Sequence, residues 1–230
     1  MALRIQWFKI DPFSSREFKR LSACLLSEKY TDERGWGFDL ADVRKEYVNG
    51  RYIIREKRFE SFRDPNGETQ TLEFTVFREI EFRLQIAPPH LEIRAPSRGI
   101  TEMFSFFAEC LRHRVAINPV SFEPIQWVAK LKEDFELVSI QKAVIPDITL
   151  SSSVAATVTV SGAEDVQEFF QEFVRGRKYM LDSALISFVD AGRHVRFEVS
   201  RSGRLKVLTF VEDHGSEFFR AHVSELMLRA

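Results

Sequence analysis

Apolar residues recur at every second position over long stretches of this 230-residue chain, and this alternation is the feature that most limits its fold. The period of two is clear in Leu72-Glu73-Phe74-Thr75-Val76 and continues from Ile80 to Ile86. Such a period is typical of β-strands with one buried face. The preceding strand opens at Tyr52, and Asp64-Pro65-Asn66-Gly67 favours a tight turn between the two runs. The pattern predicts an antiparallel meander.

Segments with a helical period flank the meander. Ser14-Ser15-Arg16-Glu17 matches a capping box and predicts a helix start. A second apolar stripe with helical spacing runs from Ile100 to Leu111. The stretch from Tyr30 to Gly50 is the least regular part of the chain. With a first strand over residues 3–10, the order of the first half is β-α-β-β-β-α.

Residues 154–230 repeat this order. A Val-rich strand is followed by Ser161-Gly162-Ala163-Glu164, which predicts a helix start, then by three strands joined by turns and a last helix. We therefore predict an α+β fold with an internal duplication of a β-α-β-β-β-α unit, in which antiparallel sheet carries helices packed on one face. This repeated order resembles the topology of the TATA-binding-protein fold. The resemblance implies a saddle of antiparallel strands and carries no expectation for function.

The domain organisation follows from the repeat. We expect a first α+β half over residues 1–114, a connector over residues 115–153 with a short helix after Pro124, and a second α+β half over residues 154–230. No flexible, low-complexity tract separates the halves.

Composition narrows the classes of partner. The 44% hydrophobic content supplies a core, and the formal net charge of −1 means that binding to nucleic acid requires a local patch. Cys24 and Cys110 fall in apolar helical patterns, so we expect free thiols, with a disulfide as the alternative. The first residues lack the apolar run of a signal peptide, and the longest uncharged stretch, from Ile148 to Ala163, is too short to span a bilayer. We expect a cytoplasmic protein that does not bind membranes.

Catalytic motifs are missing from the sequence. The five histidines lie outside any metal-ligand spacing, and no nucleophile elbow or phosphate-binding glycine loop occurs. Asp147 follows a proline and reads as a turn residue rather than as the start of a nuclease carboxylate cluster. We expect no cofactor and no metal.

Basic residues give the best candidate for a nucleic-acid site. Alternation along the strands at 193–200 and 204–211 places Arg196, Arg204 and Lys206 on the face opposite the apolar residues. A second cluster, Arg175-Gly176-Arg177-Lys178, ends the preceding Phe-rich helix. The alternative is that these cations are ordinary surface residues: those on the strands form a solvent-exposed face, and those after the helix stabilise its C-terminus.

Trp36 and Phe38 give a candidate protein-binding site. Gly35 and Gly37 flank the tryptophan, and their backbone freedom favours an exposed loop that presents an aromatic anchor to a partner. The alternative is a tryptophan that packs back onto its own domain.

These observations favour a non-enzymatic binding or scaffolding protein, an accessory subunit of a larger assembly that contacts nucleic acid, such as DNA, or a protein partner through a sheet face and loops. The alternatives are an enzyme whose site is assembled from scattered residues and a purely structural protein adaptor.

Overall fold

The computed structural model describes residues 3–96, 99–151, 154–175, 179–209 and 215–229. Over these residues the chain forms eleven strands and five helices, and the strands whose register is described pair antiparallel, which confirms the mixed α+β class. The strands are β1 Arg4–Asp11, β2 Trp36–Val43, β3 Tyr47–Arg63, β4 Thr69–Gln85, β5 Leu91–Arg94, β6 Ala116–Pro119, β7 Ser139–Ser151, β8 Val154–Ser161, β9 Ser183–Asp190, β10 Arg193–Ser200 and β11 Arg204–Thr209. The helices are α1 Ser15–Ser27, α2 Ile100–Cys110, α3 Pro124–Asp134, α4 Gln167–Phe173 and α5 Gly215–Arg229.

The chain divides into two compact units. Unit 1 consists of Met1–Ile10, Ala87–Ala95 and Ile117–Ala230, and unit 2 consists of Asp11–Ile86 and Pro96–Ala116. β5 and almost all of β1, which the sequence assigns to the first half, therefore belong to the same unit as the second half. The internal duplication and the halves at 1–114 and 154–230 stay predictions.

The start of α1 in unit 2 follows the sequence signal. Ser14 Oγ accepts a hydrogen bond from the backbone N–H of Arg16 at 3.1 Å, and the N–H of Ser14 donates to Glu17 Oε2 at 3.1 Å. This reciprocal capping box satisfies two N–H groups that the helix itself cannot pair. Phe18 and Leu21 are buried on the same face of the helix.

The sheet of unit 2 has the strand order β2-β3-β4. β3 and β4 pair along their whole length, from Tyr47 opposite Gln85 to Arg63 opposite Thr69. The structure confirms the turn predicted at residues 64–67. Asp64 Oδ1 accepts hydrogen bonds from the N–H groups of Asn66 and Glu68, at 2.9 Å each. The stretch from 30 to 50, which the sequence marks as the least regular, contains β2 and the start of β3. Glycines and aspartates in that stretch obscure the period of two.

The sheet of unit 1 has the strand order β5-β1-β11-β10-β9-β7-β8, and β6 also pairs with β1. Its hydrophobic core combines alternate residues of these strands with residues of α3, α4 and α5. Trp127 of α3 is completely buried, with ring centroids 6.4 Å from Trp7, 5.5 Å from Phe197 and 6.2 Å from Phe219. None of the helices in the described ranges is both long and apolar enough to cross a bilayer.

The stretch predicted as a connector contains more structure than expected. α3 confirms the short helix after Pro124. β7, however, is a strand of the unit 1 sheet between β9 and β8, and its irregularities near Pro146 hide the alternation. The helix start expected at Ser161 lies later, because Asp165 Oδ1 accepts from the N–H of Gln167 at 3.0 Å where α4 begins.

Candidate nucleic-acid interface

The side chains of β10 and β11 alternate between the core of unit 1 and the opposite face of its sheet. Phe197 is completely buried, and its neighbours at 195 and 199 are buried with it, whereas Arg196 is exposed. On β11, Arg204 is exposed and Lys206 is half-buried between buried neighbours at 205 and 207. In the antiparallel register, Lys206 lies opposite Glu198. The structure therefore brings Arg196, Arg204 and Lys206 to one face, as alternation predicts.

Two further cations belong to this face, and sequence reasoning missed both. Arg4 of β1 pairs directly with Lys206, and directly opposed residues of an antiparallel pair share a face. Lys142 of β7 lies opposite Leu185, which in turn lies opposite Glu198. Local alternation signals the outward position of Arg4, but only the strand order places these residues beside β10 and β11. We call Arg4, Lys142, Arg196, Arg204 and Lys206 the cationic face.

The charge on this face is strongly unbalanced. Over the described parts of β1, β9, β10 and β11, the carboxylate of Glu198 is the only one on this face, against four cations. β7 adds the cation Lys142 and, in its irregular part, the exposed carboxylate of Asp147. None of the five forms an ion pair with a residue that the structure describes. Neighbouring strands are about 4.8 Å apart, so Arg4 lies next to Lys206, whereas Glu198 and Leu185 lie between Lys206 and Lys142. Lys and Arg side chains on an exposed strand face are groups that can contact phosphates.

The second predicted basic cluster cannot be joined to this face. Arg175 is exposed, two residues after the end of α4. Arg177 and Lys178 lie outside the described residues.

Phe38 is a core residue, so its predicted position on an exposed loop was wrong. It lies on β2, is 1% exposed, and its ring centroid is 4.9 Å from that of Tyr52 and 6.2 Å from that of Phe107. Trp36 begins the same strand and is half-buried, with its ring centroid 5.8 Å from that of Phe106. We call these five residues the aromatic cluster. The structure thus supports the alternative of an aromatic segment that packs on its own domain, while a partner contact of Trp36 stays a prediction.

Gly37 explains why the glycine pattern misled. A Cβ at this position would lie 2.4 Å from the Cα of Tyr30, which is closer than real Cβ contacts allow. The backbone of β2 meets residues 28–30 here, since the N–H of Phe38 donates to Glu28 O at 2.8 Å and the N–H of Tyr30 donates to Phe38 O at 3.2 Å. Gly37 therefore allows close backbone packing rather than loop freedom.

A buried ion pair lies inside unit 1. Glu92 is 2% exposed, and its Oε2 accepts from Arg220 Nε at 2.8 Å and from Trp7 Nε1 at 3.3 Å. Because both charges are shielded from water and paired with each other, we assign them to the stability of α5 against the sheet rather than to chemistry. The sequence gives no local signal for this pair, since its members are 128 residues apart.

Nucleophilic and metal chemistry have little support in the described part of the chain. Cys24 and Cys110 are free, and burial, together with a hydrogen bond involving Cys24, raises the pKa of the Cys110 thiol, which disfavours a reactive thiolate. His222 stacks on the ring of Trp127, and its Nδ1 lies 2.9 Å from Phe218 O. Over the described residues, no group of three or more potential ligands could hold a metal ion.

The chain matches no protein-family model, and it has no significant match among curated proteins. An assignment of function therefore rests on the geometry of the cationic face.

Proposed function

We propose that this protein is a non-enzymatic binding subunit that contacts the phosphate backbone of nucleic acid through the cationic face. The observation that carries the proposal is the grouping of the five cations of the cationic face on one sheet face of a chain whose net charge is −1. Phosphate contacts from Lys and Arg supply most of the affinity in binding that does not depend on sequence.

In this proposal, one face of the unit 1 sheet packs against helices and the other face contacts the ligand. α3, α4 and α5 cover the inner face, an arrangement supported by the core residues that they share with alternate strand positions. On the outer face, Arg196 and Arg204 of β10 and β11 are exposed, whereas Gln6 and Phe8 of β1 are buried. The surface offered to a ligand is therefore the β10 and β11 part of this face. The described strands place no exposed Phe, Tyr or Trp on it, so we expect phosphate contacts without base stacking.

Binding can be tested by fluorescence anisotropy with labelled DNA and RNA, single-stranded and duplex, at about 0.1 M salt. We expect a variant with Arg196, Arg204 and Lys206 all replaced by Gln to bind on the order of a hundredfold more weakly, because each lost phosphate contact removes counterion release. The matched control replaces Arg16, Lys19 and Arg20, exposed on α1 of unit 2, by Gln and makes the same change in net charge. We expect this control to bind like the wild type.

The same experiment separates the proposal from its alternatives. Equal weakening in both triple variants would mean that net charge, not the cationic face, determines binding. If the wild type binds no nucleic acid at 0.1 M salt, the proposal is wrong, and an acidic protein partner becomes the better candidate for this face.

A further inference from the structure

The outer part of the β3–β4 hairpin is a two-stranded ribbon with mostly exposed side chains. We call residues 56–77 the β-arm. Four of its large apolar side chains are more than half exposed: Phe59 (64%), Phe62 (51%), Leu72 (56%) and Phe77 (53%). A two-stranded hairpin is at best marginally stable alone in water, and three or more strands are needed for independent stability. The β-arm therefore has fewer strands than a stable sheet needs, and it exposes apolar side chains that a further strand could cover.

The two edges of the β-arm differ in how well they resist pairing. On β3, residues 56–63 carry five charged side chains in eight positions, and charge is a common protection of sheet edges. On β4, residues 69–77 carry one charged side chain, Glu73, in nine positions, with neither Pro nor Gly. β3 is the only strand with which residues 69–77 pair among the described residues. Over residues 69–77, the edge of β4 is thus open and unprotected.

The sequence of this edge is complementary to itself. If two copies pair antiparallel about a two-fold axis at Phe74, then Phe74 lies opposite Phe74 of the second copy, and Leu72 lies opposite Val76. On the other face, Glu73 lies opposite Thr75, and Thr71 lies opposite Phe77. No like charges meet, and the apolar residues of one face meet each other.

Neighbouring registers are worse. A two-fold axis at residue 73 places Glu73 against its own copy, which is destabilising because like charges are directly opposed. An axis at residue 75 places Leu72 against Arg78 and Glu73 against Phe77. A one-residue slip without the two-fold constraint turns every apolar side chain to the wrong face. The register centred on residue 74 is therefore favoured.

We propose that the occupant of this edge is a second copy of the chain, and that two copies pair antiparallel through residues 70–78 of β4. The product is a four-stranded sheet in the order β3-β4-β4-β3, in which the charged β3 strands form the outer edges. Because the contact is two-fold, it closes at the dimer and does not propagate into fibres. The proposal does not depend on binding of nucleic acid.

Sedimentation equilibrium over a micromolar concentration range tests this register with a pair of charge variants. Thr75→Glu places Glu against Glu73 twice in the dimer, and we expect dimer affinity to fall more than about tenfold. Thr75→Lys places Lys against Glu73 twice, and we expect a dimer at least as tight as the wild type. Within each chain Thr75 lies opposite Lys57, so Thr75→Glu gains a favourable neighbour in the hairpin itself, whereas Thr75→Lys gains a like charge there. The hairpin terms therefore oppose the expected order of dimer affinities, and a tighter dimer for Thr75→Lys than for Thr75→Glu reports the contact between copies. Ser61→Glu on β3 is the control with matched charge and should dimerise normally.

A cross-link gives a second test that does not rely on charge. In the proposed register, Phe74→Cys brings two thiols into directly opposed positions, with Cα atoms about 4.5–5.5 Å apart, within disulfide range. Leu72→Cys separates the thiols by four strand positions, about 14 Å, which no disulfide spans. We expect mild oxidation to give a covalent dimer for Phe74→Cys alone, with the wild type as control for the native cysteines.

The outcomes decide the proposal. It is overturned if the wild type is monomeric over the concentration range, if both Thr75 variants have the same mass distribution, or if Leu72→Cys cross-links as readily as Phe74→Cys. Higher oligomers in place of a dimer would also contradict it, because a two-fold contact closes.

Discussion

The cationic face of unit 1 and the aromatic cluster of unit 2 both involve antiparallel strands, but water reaches one and is kept from the other. Arg204 projects from β11 and forms no ion pair with a described residue, whereas Phe38 projects from β2 into contact with three other rings of its cluster. An exposed charge contributes little to the free energy of unfolding, and a buried ring contributes a great deal. We therefore expect substitutions in the aromatic cluster to lower the free energy of unfolding, and substitutions on the cationic face to weaken binding with little change in stability.

The largest effect is expected at Phe38. Phe38→Ala removes a fully buried ring, and we expect a loss of about 3–5 kcal/mol in the free energy of unfolding. Trp36→Ala should cost less, because the tryptophan is half-buried. Urea unfolding followed by circular dichroism measures both. A cost for Phe38→Ala below about 1 kcal/mol would place the ring outside a packed core and remove the contrast between the two regions.

A smaller effect is expected at Gly37. Gly37→Ala places a Cβ against the backbone of Tyr30, so the chain must shift, and we expect a cost of about 1–3 kcal/mol. The same unfolding measurement applies, and nucleic-acid binding by the folded fraction should not change. Unchanged stability would mean that residues 28–30 move away freely, and that the glycine does give this segment the freedom of a loop.

The smallest effect on stability is expected on the cationic face. Arg204→Gln and Lys206→Gln should each change the free energy of unfolding by less than about 0.5 kcal/mol, because neither side chain forms an ion pair with a described residue. Their effect should appear in binding instead. A loss of more than about 1.5 kcal/mol in stability would show that these side chains support the fold and would weaken their assignment to a ligand.

The two regions also differ in how far the sequence predicts them. On β10 and β11 the period of two is unbroken from Val195 to Val199 and at Leu205 to Val207, so the side of each cation could be read directly. At Gly35-Trp36-Gly37-Phe38 two glycines interrupt the pattern. A glycine is equally suited to a flexible loop and to a site where two backbones pack closely, so the sequence alone does not distinguish these two roles. The structure distinguishes them through the approach of Tyr30 to Gly37.

Non-local pairing accounts for most of what the sequence did not predict. The mixed α+β class, the capping box of α1 and the turn of the β3–β4 hairpin depend on residues close in the chain, and the structure confirms them. The contributions of Arg4 and Lys142 to the cationic face depend on which strands are neighbours, and the pairing of Glu92 with Arg220 joins segments distant in sequence. Local periodicity contains no information on these contacts.

The salt dependence of binding tests the central claim most directly, since it counts phosphate contacts. For duplex DNA, the slope of log affinity against log salt changes by about 0.9 for each phosphate contact. Replacing Arg196, Arg204 and Lys206 by Gln should therefore make the slope about two to three units shallower, and by the same amount for different DNA sequences. The control with Arg16, Lys19 and Arg20 replaced should keep the wild-type slope. Equal slopes for all three proteins would contradict the account and remove the cationic face from any role in binding nucleic acid.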